Sequence, residues 1–152
     1  MTNQLLKWYE ENKRALPWRK TSDPYKIWVS EIILQQTQIK TGITYYNEFI
    51  KKFPNVESLA IAKEIEVLKI WEGLGYYRRA IHMLHTAKVI VDNYNNMFPV
   101  KYNDLIKLKG VGVYTASAIS SICYNEKKAV VDGNVYRVLS RFYNIKTPIN
   151  SH

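Results

Sequence analysis

Two carboxylates sit in opposite surroundings, and together they could break a glycosidic bond. Glu31 lies in Pro24–Gln38 (PYKIWVSEIILQQTQ), with Val29, Ile32 and Ile33 as neighbours at helical spacing. Tyr25, Ile27, Trp28 and Leu34 cover most remaining faces, so the helix reads as buried. A carboxyl in that setting ionises reluctantly, its pKa climbs toward neutrality, and it becomes a general acid at neutral pH. Asp132, in Ala129–Val138 (AVVDGNVYRV), stands at a helix start. There an Asp accepts backbone N–H groups and stays ionised. One group can protonate a leaving group while the other stabilises, or traps, an oxocarbenium-like sugar. Plainer readings stand beside these: Glu31 on the solvated stripe of a core helix, and Asp132 as a cap alone.

Two turns could serve the same chemistry on a large anionic substrate. Leu108–Ala116 (LKGVGVYTA) joins two helical patterns through spaced glycines. Gly110 and Gly112 allow close backbone approach, and the following helix offers free N–H groups and a positive dipole end to a phosphate. Lys109, Val111 and Thr115 complete that candidate grip, which would hold a nucleic-acid backbone in register without reading sequence. A plain helix–helix turn is the alternative. Gly73–Arg79 (GLGYYRR) combines a sharp turn, an aromatic pair and two cations. It reads either as a core turn with a solvated arginine face or as a wedge. In the wedge, Tyr76 fills the gap left by an extruded base while the arginines hold phosphate. Gln36 is a second candidate wedge.

Composition is compatible with such a partner. The 152 residues carry 22 Lys and Arg against 13 Asp and Glu, a net charge of +9, which suits a polyanion, although a merely basic soluble protein has the same balance. At 47% hydrophobic and 13% aromatic the chain is globular, and long enough to bury roughly two-thirds of its unfolded surface. No apolar run approaches the roughly 20 residues of a membrane span, and no secretory segment opens the chain. One cysteine, Cys123, leaves neither an internal disulfide nor a cysteine-ligated cluster within the chain. A soluble intracellular protein is expected.

The elements that must position these groups are all helical; no stretch alternates as a strand. Leu5, Leu6, Trp8 and Tyr9 stripe a first helix, and Arg19–Asp23 reads as a polar loop. The Glu31 helix follows, capped by Asp23 with Pro24 in its first turn. Further helices are predicted from Gly42 to Pro54, over Val56–Ile61, Lys63–Trp71, about Tyr76–Tyr94, Tyr102–Leu108, Val113–Tyr124, and from Gly133 to about Tyr143. That makes an all-α fold of about eight to nine helices with short connections. The last residues, Thr147–His152, read as an interior linker, so the chain is expected to be a fragment.

Taken together, the strings resemble the helix-hairpin-helix DNA glycosylases, nearest the adenine DNA glycosylase branch. They are Leu16–Arg19, Ser30–Gln38, Trp71–Tyr77, Gly110–Gly112 and Asp132–Val138. The resemblance implies a six-helix barrel lobe over 23–128, with its hairpin at about 102–124. Residues 1–22 and 129–152 would begin a second, incomplete lobe. It implies removal of adenine mispaired with 8-oxoguanine or guanine in double-stranded DNA. Glu31 would protonate the adenine, Asp132 would handle the sugar cation with Asn134 orienting it, and Tyr114 would sit beside both. Arg14, Trp18, Arg19 and Leu34 would line the adenine pocket, while Gln36, Thr37, Leu74 and Tyr76 would penetrate the helix beside the opposing purine. The endonuclease III branch has a lysine where this chain has Tyr114, and a tyrosine cannot form that Schiff base. A monofunctional enzyme is thus implied over a bifunctional glycosylase/lyase, with a non-catalytic DNA-binding remnant as the other alternative. The family's 4Fe-4S cluster uses four cysteines that this chain lacks; a monovalent or divalent cation at the hairpin carbonyls is the other candidate cofactor. A monomer in a prokaryotic cytoplasm, on the nucleoid and away from membranes, completes the implied picture, with marginal stability and weak or no activity for this length of chain.

Overall fold

The computed structural model describes residues 2–148, so the final residues of the expected linker, 149–152, lie outside the described part. The nine α-helices among the described residues are α1 (Thr2–Asn12), α2 (Pro24–Ile33), α3 (Ile39–Lys52), α4 (Val56–Ala60), α5 (Glu64–Trp71), α6 (Arg78–Tyr94), α7 (Tyr102–Leu105), α8 (Val113–Tyr124) and α9 (Gly133–Phe142). No strand occurs among them, and the fold is the all-α one that the sequence predicts.

The core forms around α2. Asp23 accepts the Tyr25 N–H at 2.9 Å and opens the helix at Pro24. Seven of its ten residues are buried, with Trp28 and Val29 fully enclosed. It packs on α8 and α3, while α6 packs on α4 and α5. Trp28 meets Phe98 edge-on and Phe49 meets Trp71 in the same way, which suits the ring quadrupoles. Tyr25 donates its hydroxyl to the Phe53 carbonyl at 2.7 Å, fixing α2 to the end of α3.

Four boundaries differ from expectation, each for a local reason. The α3 helix begins at Ile39, because Gly42 is an interior residue; a Cβ there would come within 2.7 Å of a Leu34 methyl. Arg19 and Lys20, at the start of the expected Arg19–Asp23 loop, belong instead to a 3₁₀ turn over Pro17–Lys20. The α7 helix stops at Leu105, after which Lys107, Leu108 and Val111 donate to carbonyls three residues back and tighten the chain into the hairpin. The α6 helix starts at Arg78, since Tyr76 has φ +48° and cannot be helical.

The two end helices behave differently from the rest. No residue of α1 or α9 is buried. Leu5, Leu6 and Trp8 on α1, and Tyr136, Val138 and Phe142 on α9, are all exposed.

Candidate active site and nucleic-acid interface

Glu31 occupies the one position of α2's second half that is not walled in on every side: Val29, Ser30, Ile32 and Ile33 are buried, Glu31 only partly. Burial alone lifts its carboxyl to about 7. A carboxyl raised that far can still carry a proton near neutral pH, as a general acid requires.

Asp132 shows the opposite balance. Its Oδ1 accepts the N–H groups of Asn134 (2.9 Å) and Val135 (2.8 Å), and its Oδ2 accepts the Asn134 side-chain amide at 3.1 Å. The Val135 N–H, with help from Asn134, holds this carboxyl below its ordinary value. The Asn134 amide is itself oriented, because Arg137 donates to its Oδ1 at 2.7 Å. Arg137 was visible in the sequence as part of a motif without a task; its spacing of three from Asn134 on one helix face was the available signal.

Tyr114 lies on the first turn of α8. Its phenol is pushed up by burial first, then by the charges of Glu31 and Asp132. The tyrosine is 41% exposed, which leaves its ring on an open face.

The residues implied for the base pocket are spread over the link after α1, the 3₁₀ turn and the C-cap of α2. Trp18 is buried edge-on against Tyr46, Leu34 packs over Gly42, and Arg14 and Arg19 are exposed. The Arg19 guanidinium lies 5.4 Å from the centre of the Tyr9 ring and donates weakly to the Arg14 carbonyl at 3.4 Å.

At the hairpin, Lys109, Gly110, Gly112 and Tyr114 are exposed, whereas Val111 and Thr115 are buried. The Thr115 side chain is thus a packing group rather than part of an open rim. Gly110 has φ +78°, and a Cβ there would meet the His82 side chain at 2.9 Å, so glycine is required twice over. Thr86 donates to the Lys109 carbonyl at 2.8 Å and pins the hairpin to α6. The Leu108 carbonyl accepts from Val111 at 3.1 Å; each of these carbonyls keeps one lone pair. Gly112 makes no side-chain cap, which leaves the α8 N-terminus to a solvent or ligand acceptor. His82 is held below its ordinary value by burial, then by Lys109, Arg78 and His85, marking a cationic stretch from hairpin to α6.

The two wedge candidates share an unusual backbone. Gln36 has φ +58° and Tyr76 φ +48°, left-handed conformations that disfavour ordinary side chains by about 1–2 kcal/mol each. Tyr76 is 67% exposed, Gln36 is exposed, Thr37 is half-buried, and Leu74 anchors against the core. Both turns line one groove of about 650 Å³ with Tyr77, Arg78, Arg79 and His82. A neighbouring cavity of about 220 Å³ joins Gln35, Arg79 and His82 to Lys109 and Gly110 of the hairpin. Arg79, expected to hold phosphate, does not face outward: its guanidinium donates to the carbonyls of Ile32, Gln35 and Gly75. Arg78 remains exposed.

The cluster ligands of the resemblance have no counterpart in these 152 residues. Cys123 is the only cysteine, it is half-buried, and its thiol is pushed up to about 12 by burial.

The family model of the HhH-GPD superfamily base excision DNA repair proteins matches residues 29–151. The chain belongs to that superfamily. The HhH-GPD chain is 46% identical over 142 residues to the adenine DNA glycosylase of Buchnera aphidicola subsp. Baizongia pistaciae, covering 93% of this chain and 40% of that protein. It is 43% identical over 146 residues to the adenine DNA glycosylase of Homo sapiens, covering 90% of this chain and 27% of the other. The chain thus spans about two-fifths of the bacterial relative's length and less of the human one. Among solved structures, a thermostable thymine-DNA glycosylase superposes with a TM-score of 0.85 at 29% identity, over 91% of this chain and 64% of that one. A non-covalent endonuclease III–DNA complex superposes with 0.82 at 19% identity, over 99% and 68%, a likeness of fold. No helix among the described residues of this HhH-GPD protein is long and apolar enough to cross a membrane.

Proposed function

We infer that the chain carries the acid, the carboxylate and the DNA-gripping surface of a monofunctional adenine DNA glycosylase. The observation that carries this reading is the contrast between two carboxyls, Glu31 lifted by burial to about 7 and Asp132 held low by the N–H groups of Asn134 and Val135 that it accepts. In this reading Glu31 delivers its proton to the departing adenine, so the base leaves neutral. Asp132, kept charged by the α9 N-terminus and Asn134, faces the developing sugar cation and stabilises or traps it until water completes hydrolysis. Tyr114 supplies a ring and hydroxyl where a lysine would permit strand cleavage.

The remaining calls follow the same surface. Arg14, Trp18, Arg19 and Leu34 border the adenine; Gln36, Thr37, Leu74 and Tyr76 enter the duplex; Lys109, Gly110, Gly112 and the α8 N-terminus hold phosphate. A hairpin carbonyl could also take a cation. Residues 23–128 act as one lobe, and 1–22 and 129–152 as parts of another. The substrate is double-stranded DNA with adenine opposite 8-oxoguanine or guanine, met by a monomer on the nucleoid.

The test is single-turnover incubation with a duplex holding one adenine opposite 8-oxoguanine, then alkali to reveal abasic sites. Release by the chain that falls about 10²–10⁴-fold in Glu31→Gln is expected. The rate should decline as pH rises through about 7, where Glu31 loses its proton. Binding without release in the unaltered chain would favour a DNA-holding remnant instead.

A further inference from the structure

Arg79 does something the proposed chemistry leaves unused. From the second residue of α6 it reaches back across 44 to 47 positions to the end of α2. Its Nη1 donates to the carbonyls of Ile32 (2.9 Å) and Ile33 (3.3 Å), orphan acceptors of the α2 C-terminus, and of Gln35 (2.6 Å) in the turn that follows. Its Nη2 donates to the Gly75 carbonyl at 3.2 Å, which also accepts the Trp71 indole N–H at 3.0 Å. The guanidinium plane is flanked by the rings of Trp71 and Tyr76, 5.2 and 5.6 Å from their centres. One rigid fork thus holds the carbonyl before Gln36 and the carbonyl before Tyr76, two non-glycine residues in left-handed conformation.

We propose that Arg79 is a positioning residue that locks the Gln36 and Tyr76 turns into a single, preformed two-pronged wedge for base extrusion. The proposal rests on the glycosylase reading for what the wedge does, but not for how it is built. Neither turn would hold a left-handed glutamine or tyrosine unaided, since their relaxed conformations lie elsewhere. Tying both to one guanidinium orders them before DNA arrives, so extrusion does not also have to order two loops. A lysine cannot substitute: its ammonium is a compact charge without the planar fork that spans both carbonyl sets.

The experiment is Arg79→Lys in the full chain, read first without DNA by amide hydrogen exchange. Thr37 donates to Leu34 in one turn and Leu74 to Trp71 in the other, while Ala116 donates to Gly112 in the hairpin as a control. Exchange at both Thr37 and Leu74 is expected to quicken about tenfold or more, with Ala116 unchanged. Loosening of one turn alone, or of Ala116 equally, overturns the coupling. Gln36→Pro gives an independent check on the surface, because proline cannot adopt φ +58° and disturbs one turn only. Leu74 must then quicken too; a silent Leu74 also overturns the coupling. The second arm uses a duplex with 2-aminopurine in place of the adenine opposite 8-oxoguanine. Its fluorescence should rise with the unaltered chain and rise about tenfold less in Arg79→Lys, with affinity for undamaged duplex within about threefold, since phosphate contacts set that affinity. Equal extrusion by the variant sinks the wedge role. No rise even with the unaltered chain sinks the glycosylase reading, and the exchange data then decide the coupling alone.

Discussion

Helices α2 and α9 are both ten residues long and both open on an aspartate that accepts N–H groups of the first turn, yet they end in opposite environments. Helix α2 buries seven residues; α9 buries none. The carboxyls the two segments carry differ accordingly: Glu31, inside α2, is desolvated by its packed helix, while Asp132, the cap of α9, is left in reach of water. Capping is decided within four residues of sequence, whereas protonation is decided by what packs around the helix. A divided pair of carboxyls can thus be built by burying one helix and leaving another open.

The contrast can be strained first at the packed end. Trp71→Ala removes a fully enclosed indole that supports α3, α5 and Arg79, and should lower unfolding free energy by about 3–5 kcal/mol in urea denaturation. A loss near zero would mean the core is not where the stability lies. Next comes the penalty of the acid itself. Glu31 binds its proton more tightly in the folded chain, about 7 against 4.5, so stability falls as pH rises across that window and the whole penalty is present above it. Glu31→Gln should therefore be more stable than the unaltered chain at pH 8 by up to about 3 kcal/mol, and no more stable at pH 4. Equal stability at pH 8 would show that Glu31 is solvated. The smallest effect belongs to α9: Phe142→Ala, on an exposed face, should change stability by less than about 0.5 kcal/mol. A larger loss would reveal that α9 is packed in solution.

Most helices were legible because apolar spacing, Asp23, Pro54 and the paired glycines act over a few residues. The Glu31 shift was legible for the same reason, since its neighbours along the helix are also its neighbours in space. Arg79 was not. Its acceptors lie more than forty residues away, and an arginine beside two tyrosines looks like a phosphate contact until the fold brings α2's end to it. The helical pattern likewise runs to about Tyr76, since nothing in a tyrosine announces a left-handed backbone. The stripe on α1 predicted a helix correctly but not its packing, because an apolar face names no partner. Thr115 illustrates the converse: its motif suggests a ligand while its position in α8 buries it.

Cys123 has a consequence for the conditions in which this chain works. Burial pushes its thiol well above the ordinary value, so little thiolate exists at neutral pH, and thiolate is the form that peroxides attack. Under the proposed reading the substrate arises when guanine is oxidised, which places the chain among oxidants. A raised, half-buried thiol is a slow target, so peroxide treatment of the folded chain is expected to leave Cys123 largely unmodified.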